Sequence, residues 1–141
     1  MRWLLVDKIL TMEPGKTSTG SRCFTRSEPF FMDHFPGYPI VPGVLQIEMV
    51  AQLGGKCIMA ANPGFLPVLT SVKSAKFRRP IEPGDKAVIH VDVTVRKSYS
   101  LAKGWIEVEG KNMSSAEIMY ALIPIPENRM TDKVEHIPGG I

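Results

Sequence analysis

Hydrophobic and polar residues alternate along the second half of the chain, and this alternation predicts strands. Between residues 87 and 95 every odd position is apolar, while positions 90, 92 and 94 carry His, Asp and Thr. A period of two places the apolar side chains on one face of a sheet. Further strands are predicted at 68–77, 103–110 and 114–123, with turns at 83–85 and 109–112.

The first third of the chain has a weaker pattern. Residues 3–11 are apolar and β-branched enough to predict a strand, residues 14–20 a turn, and residues 21–26 a second short strand. Residues 29–43 contain four prolines and two glycines. Proline removes a backbone donor and fixes φ, so we expect no regular structure there but a stiff, shaped loop.

A helix is predicted over residues 43–61, directly after this loop. Pro42 suits a helix start, because a first-turn N–H has no partner inside the helix, and the Asn-Pro-Gly at 62–64 ends it. Apolar residues surround the helix almost completely, which predicts burial on several sides. Gly54 and Gly55 cost about 1 kcal/mol each relative to alanine. We therefore expect another element to pack closely against them.

These elements predict an α+β fold, in which a curved sheet of five or six mostly antiparallel strands wraps around one buried helix. The 141 residues fit one domain over 1–141. The Pro- and Gly-rich tail at 124–141 is expected to be an edge segment or partly disordered.

Composition and charge exclude several classes of function. The net charge of +3 does not indicate nucleic-acid binding. No run approaches the ~18 apolar residues of a membrane span, and no secretory signal follows Met1, so we expect a cytoplasmic location. The histidines at 34, 90 and 136 lack metal-ligand spacing, so neither a metal nor a cofactor is expected. His90 is predicted to be a surface residue, and Cys23 and Cys57 are predicted to be small buried hydrophobes.

Two residues that are able to carry acid–base chemistry flank the start of the helix. His34 lies in the proline-rich loop, and Glu48 is the only acid in the predicted helix. A buried carboxyl suits a general acid, and a histidine suits the complementary base. Gln52 lies four residues after Glu48 on the same helix face and is placed to bond it. A loop histidine is more often structural and a helix acid more often solvated, so the residues alone leave both interpretations open.

The first turn of the helix adds a third element. Its unpaired N–H groups and the positive end of its dipole favour negative charge, and Gly43 leaves the backbone open to close approach. A thioester carbonyl placed there would have its developing enolate oxygen stabilised. Base, acid and oxyanion donor together indicate proton abstraction beside a carbonyl, coupled to loss of a leaving group. A plain helix-entry role for Gly43 stays open.

The segment HFPGYPIVPGVLQIE and the MVAQ after it resemble the signature of the FabZ-type β-hydroxyacyl-acyl-carrier-protein dehydratases. SAKFRRPIEPGD resembles the second conserved block of that family, and the similarity runs from about residue 4 to residue 123. The resemblance implies the hot-dog fold. It also implies conversion of (3R)-hydroxyacyl thioesters on acyl carrier protein to trans-2-enoyl thioesters. Glutamate at position 48 favours this branch over the dehydratase–isomerase branch, which has aspartate there.

The resemblance implies roles for single residues. His34 would remove the C2 proton, Glu48 would protonate the departing C3 hydroxyl, and the Gly43 N–H would polarise the thioester carbonyl. His34 of one protomer would face Glu48 of the other across a homodimer interface, with the acyl chain in an apolar tunnel and three dimers forming a hexamer. A docking patch for the acidic carrier protein would be formed by Lys76, Arg78 and Arg79.

The chain departs from the family pattern at three places, and two other functions stay open. It starts at MRWLLVD without the usual leader, Met32-Asp33 replaces a Gln-Gly-like pair, and a Pro-rich tail follows residue 123. One alternative is a hot-dog thioesterase, whose helix acid activates water on the thioester. The other is a non-catalytic acyl-binding subunit that pairs with a second dehydratase subunit.

Overall fold

The computed structural model describes residues 4–126, which form one helix and six strands. The strands make one antiparallel sheet in the order β1-β2-β4-β5-β6-β3, and α1 packs against one face of it. The predicted α+β architecture is confirmed. The elements, in chain order, are β1 (Lys8–Glu13), β2 (Thr17–Cys23), a short 3₁₀ turn (Pro29–Met32), α1 (Gly43–Ala61), β3 (Phe65–Phe77), β4 (Lys86–Val95), β5 (Tyr99–Val108) and β6 (Lys111–Pro124).

The core lies between α1 and the facing side of the sheet. In β4 the side chains of Ala87, Ile89 and Val91 are buried, which confirms the face predicted from the period of two. The helix has the predicted bounds, and it ends where the Asn62 N–H donates to the Met59 carbonyl. Burying this apolar face against the sheet is the main stabilising contribution to the fold.

Glycines allow α1 and the sheet to approach closely, as predicted for Gly54. A Cβ atom on Gly54 would lie 2.8 Å from the Tyr120 hydroxyl oxygen and 3.0 Å from the Ala102 Cβ. On Gly55 it would lie 3.4 Å from the Pro67 Cγ, which is ordinary contact. The close approach is therefore concentrated at Gly54.

The prediction for residues 14–20 was wrong. The turn covers only 14–16, and Thr17–Cys23 form β2, an inner strand that pairs with both β1 and β4. Gly20, taken as a turn residue, lies inside β2. Glycine fits there because a Cβ would lie 3.0 Å from the Val6 Cγ1 and 3.1 Å from the Lys8 carbonyl oxygen. The predicted strand at 21–26 accordingly ends at Cys23.

Other departures from the sequence prediction are smaller. Pro29–Met32 form a 3₁₀ turn inside the loop that was expected to have no regular structure. Cys23 is exposed rather than buried, because it ends β2, whereas Cys57 is buried as predicted. Lys111 and Asn112 begin β6, so the turn is made by residues 109 and 110, which have positive φ angles. The tail from residue 127 onward, with the histidine at position 136, lies outside the described residues.

Within residues 4–126 there is no helix with both the length and the apolar character needed to cross a membrane.

Candidate active site

Backbone hydrogen bonds hold the loop that carries His34. The His34 N–H donates to the Phe30 carbonyl at 3.1 Å, and the Ile40 N–H donates to the His34 carbonyl at 2.9 Å. Phe35 and Tyr38 close the tip of the loop by exchanging two backbone hydrogen bonds, at 2.9 and 2.8 Å. The loop is therefore fixed by its own backbone as well as by its prolines.

The imidazole of His34 is half-buried and oriented by this loop. Its Nδ1 lies 3.3 Å from the Ile40 carbonyl oxygen, and its ring stacks on Phe35 with the centroids 4.0 Å apart. In the tautomer that donates from Nδ1 to this carbonyl, Nε2 keeps a lone pair and is able to accept a proton. We call the adjoining space of about 300 Å³ the loop cavity; it is lined by His34, Ile40, Val41, Gly43, Gln46, Phe77, Arg78, Arg79 and Pro80.

The first turn of α1 opens into the loop cavity. The Leu45 and Gln46 N–H groups both donate to the Pro42 carbonyl, at 3.1 and 3.2 Å. Among the described residues the Gly43 N–H has no backbone acceptor, as expected at a helix start. The ring of Phe77 covers this glycine closely, because a Cβ at position 43 would lie 2.9 Å from the nearest ring carbon.

Gln46 connects the helix to the His34 loop, a role that the sequence analysis missed. Its side chain is only 5% exposed, and Nε2 donates to the Val41 carbonyl at 3.1 Å. The Val41 N–H in turn donates to the Ile81 carbonyl at 2.8 Å. A single amide in the otherwise apolar run 44–47 was the available signal. Gln46 therefore anchors the segment whose Ile40 carbonyl orients His34.

Glu48 is not among the described residues that line the loop cavity. Gln52 Nε2 donates to Glu48 Oε1 at 3.2 Å, and the Leu5 N–H donates to Gln52 Oε1 at 2.9 Å. The predicted hydrogen bond between Gln52 and Glu48 is thus present, and the Leu5 N–H fixes the orientation of the Gln52 amide by bonding its oxygen. The expectation of burial on several sides was wrong for this face of the helix, because Glu48 is half-buried and Val44 is 73% exposed within one chain.

A second space, the helix-face groove, runs along α1 beside Glu48. It encloses about 240 Å³ between one face of the helix and strands β3 and β6. Apolar side chains form most of its walls. The lining residues are Glu48, Ala51, Gln52, Gly55, Lys56, Met59, Leu66, Pro67, Leu69 and Tyr120.

Tyr120 closes the inner wall of this groove and was also missed from sequence. Its hydroxyl donates to the Ala51 carbonyl at 2.7 Å. Burial, and secondly the charge of Glu48, raise the pKa of Tyr120 well above its ordinary value. The hydroxyl therefore stays protonated and serves as a hydrogen-bond donor rather than as a base.

Within one chain His34 and Glu48 line separate cavities, and none of the described residues lines both. Among the strands of residues 4–126, β3 lies at the edge of the sheet between these regions and pairs only with β6. An unpaired edge of this kind is a template for pairing with a second chain. The apolar side chains that β3 exposes are Phe65, Val68, Leu69, Val72 and Phe77.

The three basic residues proposed for docking are exposed and lie at the end of β3. Arg78 and Arg79 line the loop cavity, and Arg78 Nη1 donates to the Ser115 Oγ at 3.0 Å. Lys76 precedes them on β3 and is not part of the cavity lining. Two of the three cations therefore border the cavity that contains His34.

His90 lies outside both cavities, on the sheet face opposite the core. Its ring stacks on Trp105 with the centroids 4.9 Å apart, and its Nε2 is 3.5 Å from Glu107 Oε2. The side chain of His90 is 26% exposed, so this residue is more buried than the surface position predicted for it. In residues 4–126 no group of three or more His, Cys, Asp or Glu side chains is arranged to hold a metal ion.

Comparison with known proteins identifies the family. Residues 12–116 match the family model of ApeI-like proteins, described as ApeI dehydratase. The 3-hydroxyacyl-[acyl-carrier-protein] dehydratase FabZ of Clostridium acetobutylicum is 41% identical over 123 residues, which cover 85% of this chain and 87% of that protein.

Two solved structures with low sequence identity share the fold. The dehydratase heterocomplex ApeI:P from Xenorhabdus doucetiae has a TM-score of 0.63 at 19% identity, covering 80% of this chain and 96% of that one. Thioesterase HI1161 from Haemophilus influenzae has a TM-score of 0.64 at 13% identity, covering 83% and 78%. The fold is therefore common to dehydratases and thioesterases, and the sequence comparison separates them. The chain belongs to the ApeI-like dehydratase family, which confirms the resemblance to FabZ-type enzymes carried by its motif.

Proposed function

We propose that this protein removes water from (3R)-hydroxyacyl thioesters carried on acyl carrier protein, and that it forms trans-2-enoyl thioesters in fatty-acid or related lipid or polyketide biosynthesis. The observation that carries the proposal is a histidine oriented through Nδ1 and a carboxyl group oriented by Gln52, both on the fold of a dehydratase family. His34 supplies the base and Glu48 supplies the acid.

The reaction follows from these orientations. His34 Nε2 takes a proton from C2 of the substrate, and the negative charge that develops on the thioester oxygen is stabilised by the Gly43 N–H at the start of α1. Protonated Glu48 gives its proton to the C3 hydroxyl, the C3–O bond breaks, and the hydroxyl leaves as water. The double bond forms between C2 and C3. Return of the proton from His34 to Glu48 resets the site.

The site is completed by a second copy of the chain in this proposal. Two chains pair along β3, so that His34 of one protomer faces Glu48 of the other. The separation of the two residues within one chain and the exposed apolar residues of β3 support this arrangement. Further assembly of three dimers into a hexamer, and a cytoplasmic location, are part of the same proposal.

Acyl carrier protein docks beside the loop cavity in this proposal. Lys76, Arg78 and Arg79 present positive charge at the end of β3, next to the cavity that contains His34 and Gly43. An acidic partner approaching this patch would bring the thioester to the helix start. Such complementarity mainly sets the association rate and its dependence on salt.

The proposal is tested with the reverse reaction, the hydration of a short trans-2-enoyl thioester. Hydration is monitored as the loss of enoyl absorbance. His34→Ala and Glu48→Gln should each lower kcat by roughly 10²–10⁴-fold, the contribution of one acid–base group. Glu48→Gln keeps an acceptor for Gln52, so the fold should be preserved. His90→Ala is the matched control, and its rate should stay near that of the wild type because His90 lies on the opposite sheet face.

Three results would contradict the proposal. Hydration that persists in both His34→Ala and Glu48→Gln would show that neither residue is needed for catalysis. Release of free thiol without hydration, detected with a thiol reagent, would indicate a thioesterase. Binding of acyl carrier protein without turnover, with turnover regained on adding a second subunit, would indicate a non-catalytic subunit.

A further inference from the structure

The α1 residues that line the helix-face groove follow one face of the helix for three turns. They recur at positions 48, 51, 52, 55, 56 and 59, the spacing of three and four that defines a single face. At 1.5 Å per residue, Lys56 lies about 12 Å beyond Glu48 along the helix axis. A chain that enters beside Glu48 and follows the groove therefore passes Lys56.

Lys56 differs from the other polar residues of the groove because its charge is unpaired. Gln52 bonds Glu48, and the Tyr120 hydroxyl bonds a backbone carbonyl. Within the described part of the chain, the side-chain ammonium of Lys56 makes neither an ion pair nor a hydrogen bond. An ammonium group has three donors and no acceptor, so it is complementary to a negatively charged group.

The surroundings of Lys56 partly desolvate this unpaired charge. The side chain is half-buried, and Met59, Leu66 and Leu69 contribute apolar surface to the same groove. Burial lowers the pKa of Lys56 below its ordinary value. A plain alkyl chain in the groove would desolvate the ammonium further and give it no partner, whereas an anion would compensate it.

We propose that Lys56 is a specificity-determining residue that selects acyl chains bearing a carboxylate beyond the reacting carbons, at the distance fixed by the separation of Lys56 from Glu48. The inference rests on the proposed function, because it requires the groove to hold the acyl chain. It assigns to the enzyme an acyl substrate with an anionic end, in place of a simple alkyl chain. The carboxylate and the Lys56 ammonium form a charge-assisted hydrogen bond at the far end of the groove.

The experiment compares two series of trans-2-enoyl thioesters of matched lengths, one ending in a methyl group and one in a carboxylate. For the wild type, the ratio of kcat/KM for carboxylate over methyl should exceed one and peak at one chain length. Lys56→Met should lower that ratio roughly tenfold at the peak, mainly through KM, since a charge-assisted bond is lost. Lys56→Arg should retain more of the ratio than Lys56→Met.

The control variant is Lys103→Met, which removes an exposed lysine on β5 outside both cavities and should leave the ratio unchanged. One contrary result is that Lys56→Met and the wild type show the same ratio of kcat/KM for carboxylate over methyl at every chain length, while both hydrate methyl-ended substrates normally. In that case the Lys56 ammonium does not bind the substrate and this inference is wrong, although the dehydratase assignment stands. If the wild type hydrates neither series, the proposed function fails and this inference fails with it.

Discussion

At the scale of single residues, hydrogen bonds fix the orientation of the two side chains proposed to react. Ile40 orients His34 through its carbonyl, and Gln52 orients Glu48 while being held by the Leu5 N–H. Such contacts place a general base or acid in a productive geometry before substrate binds. The start of α1 depends instead on the absence of a side chain at Gly43.

Gly43→Ala should lower kcat/KM for hydration by roughly tenfold or more. The new methyl group would collide with the Phe77 ring and push it from the helix start, where the thioester carbonyl is proposed to bind. Stability should fall by about 1–3 kcal/mol, the range of overpacking costs, because the methyl group and the Phe77 ring compete for the same space. Enzyme kinetics and urea denaturation measure the two effects.

The double variant Gly43→Ala/Phe77→Leu serves as the control for this prediction. Removing the ring should recover most of the lost stability, since neighbouring substitutions couple. A Gly43→Ala enzyme with wild-type kinetics would show that the approach to Gly43 has no part in catalysis.

Tyr120 predicts a dependence of stability on alkaline pH. Its pKa in the folded protein is raised above the unfolded value of 10.0, so folding holds the phenolic proton more tightly. This contribution is fully present below about pH 10 and is lost as the pH rises further, because the phenol ionises in the unfolded chain while the folded protein keeps it protonated. The free energy of unfolding of the wild type should therefore fall faster above about pH 10 than that of Tyr120→Phe.

Urea denaturation at neutral and alkaline pH measures this difference. At neutral pH Tyr120→Phe should be less stable by about 1 kcal/mol, because the hydrogen bond to the Ala51 carbonyl is lost. Lysines lose their charge equally in both proteins, so the difference between the two pH profiles isolates Tyr120. Parallel profiles above pH ~10 would contradict the assigned burial of the phenol.

At the scale of elements, the distance between α1 and the sheet is set by small residues on both sides. Gly54 on the helix faces Tyr120, and Gly104 on β5 faces Val50 of the helix. A Cβ at position 104 would overlap the Val50 side chain and lie 3.0 Å from the His90 carbonyl oxygen. These glycines let the helix lie directly on β5.

Gly104→Ala should destabilise the protein by about 1–3 kcal/mol, as overpacking of a filled core does. Val50→Ala should relieve part of that cost, so the double variant should be more stable than the sum of the single effects predicts. Gly55→Ala is the matched control. Its methyl meets only ordinary contact, and its helix propensity improves, so stability should stay equal or rise by up to about 1 kcal/mol. Additive effects in urea denaturation would contradict the packing described for Gly104.

The success of the sequence prediction varied with the kind of element. The bounds of α1 were predicted, because proline precedes it and Asn-Pro-Gly follows it, and β4 was predicted to within one residue from its alternation. Only the last three residues of β2, 21–23, were predicted as a strand. Its first part was taken as a turn because Ser, Thr and Gly dominate it, and its conformation is set by pairing with β1 and β4 rather than by its own composition.

The candidate site was predictable only where a motif marked it. His34, Gly43 and Glu48 lie in one continuous segment, so their types and spacing were visible from sequence. The contact between Tyr120 and Ala51 joins residues 69 positions apart, and no local pattern reveals it. That Gln46 lines the loop cavity and Lys56 lines the helix-face groove was known only from the structure.

At the scale of the whole molecule, the proposed active site requires two chains. One chain separates His34 from Glu48 and leaves β3 as an unpaired edge with exposed apolar residues. Pairing two β3 edges would bury these residues and continue the sheet across the dimer. A twofold dimer would then contain two equivalent sites, each built from both protomers.

The most direct test of this claim is complementation between inactive variants. His34→Ala and Glu48→Gln chains with different affinity tags are produced together, and mixed dimers are isolated through both tags. If each site draws on both protomers, one site of a mixed dimer is intact and the other carries both substitutions, so hydration should return to about half of the wild-type rate per dimer. Mixed dimers no more active than the single variants would show that His34 and Glu48 do not act together across an interface.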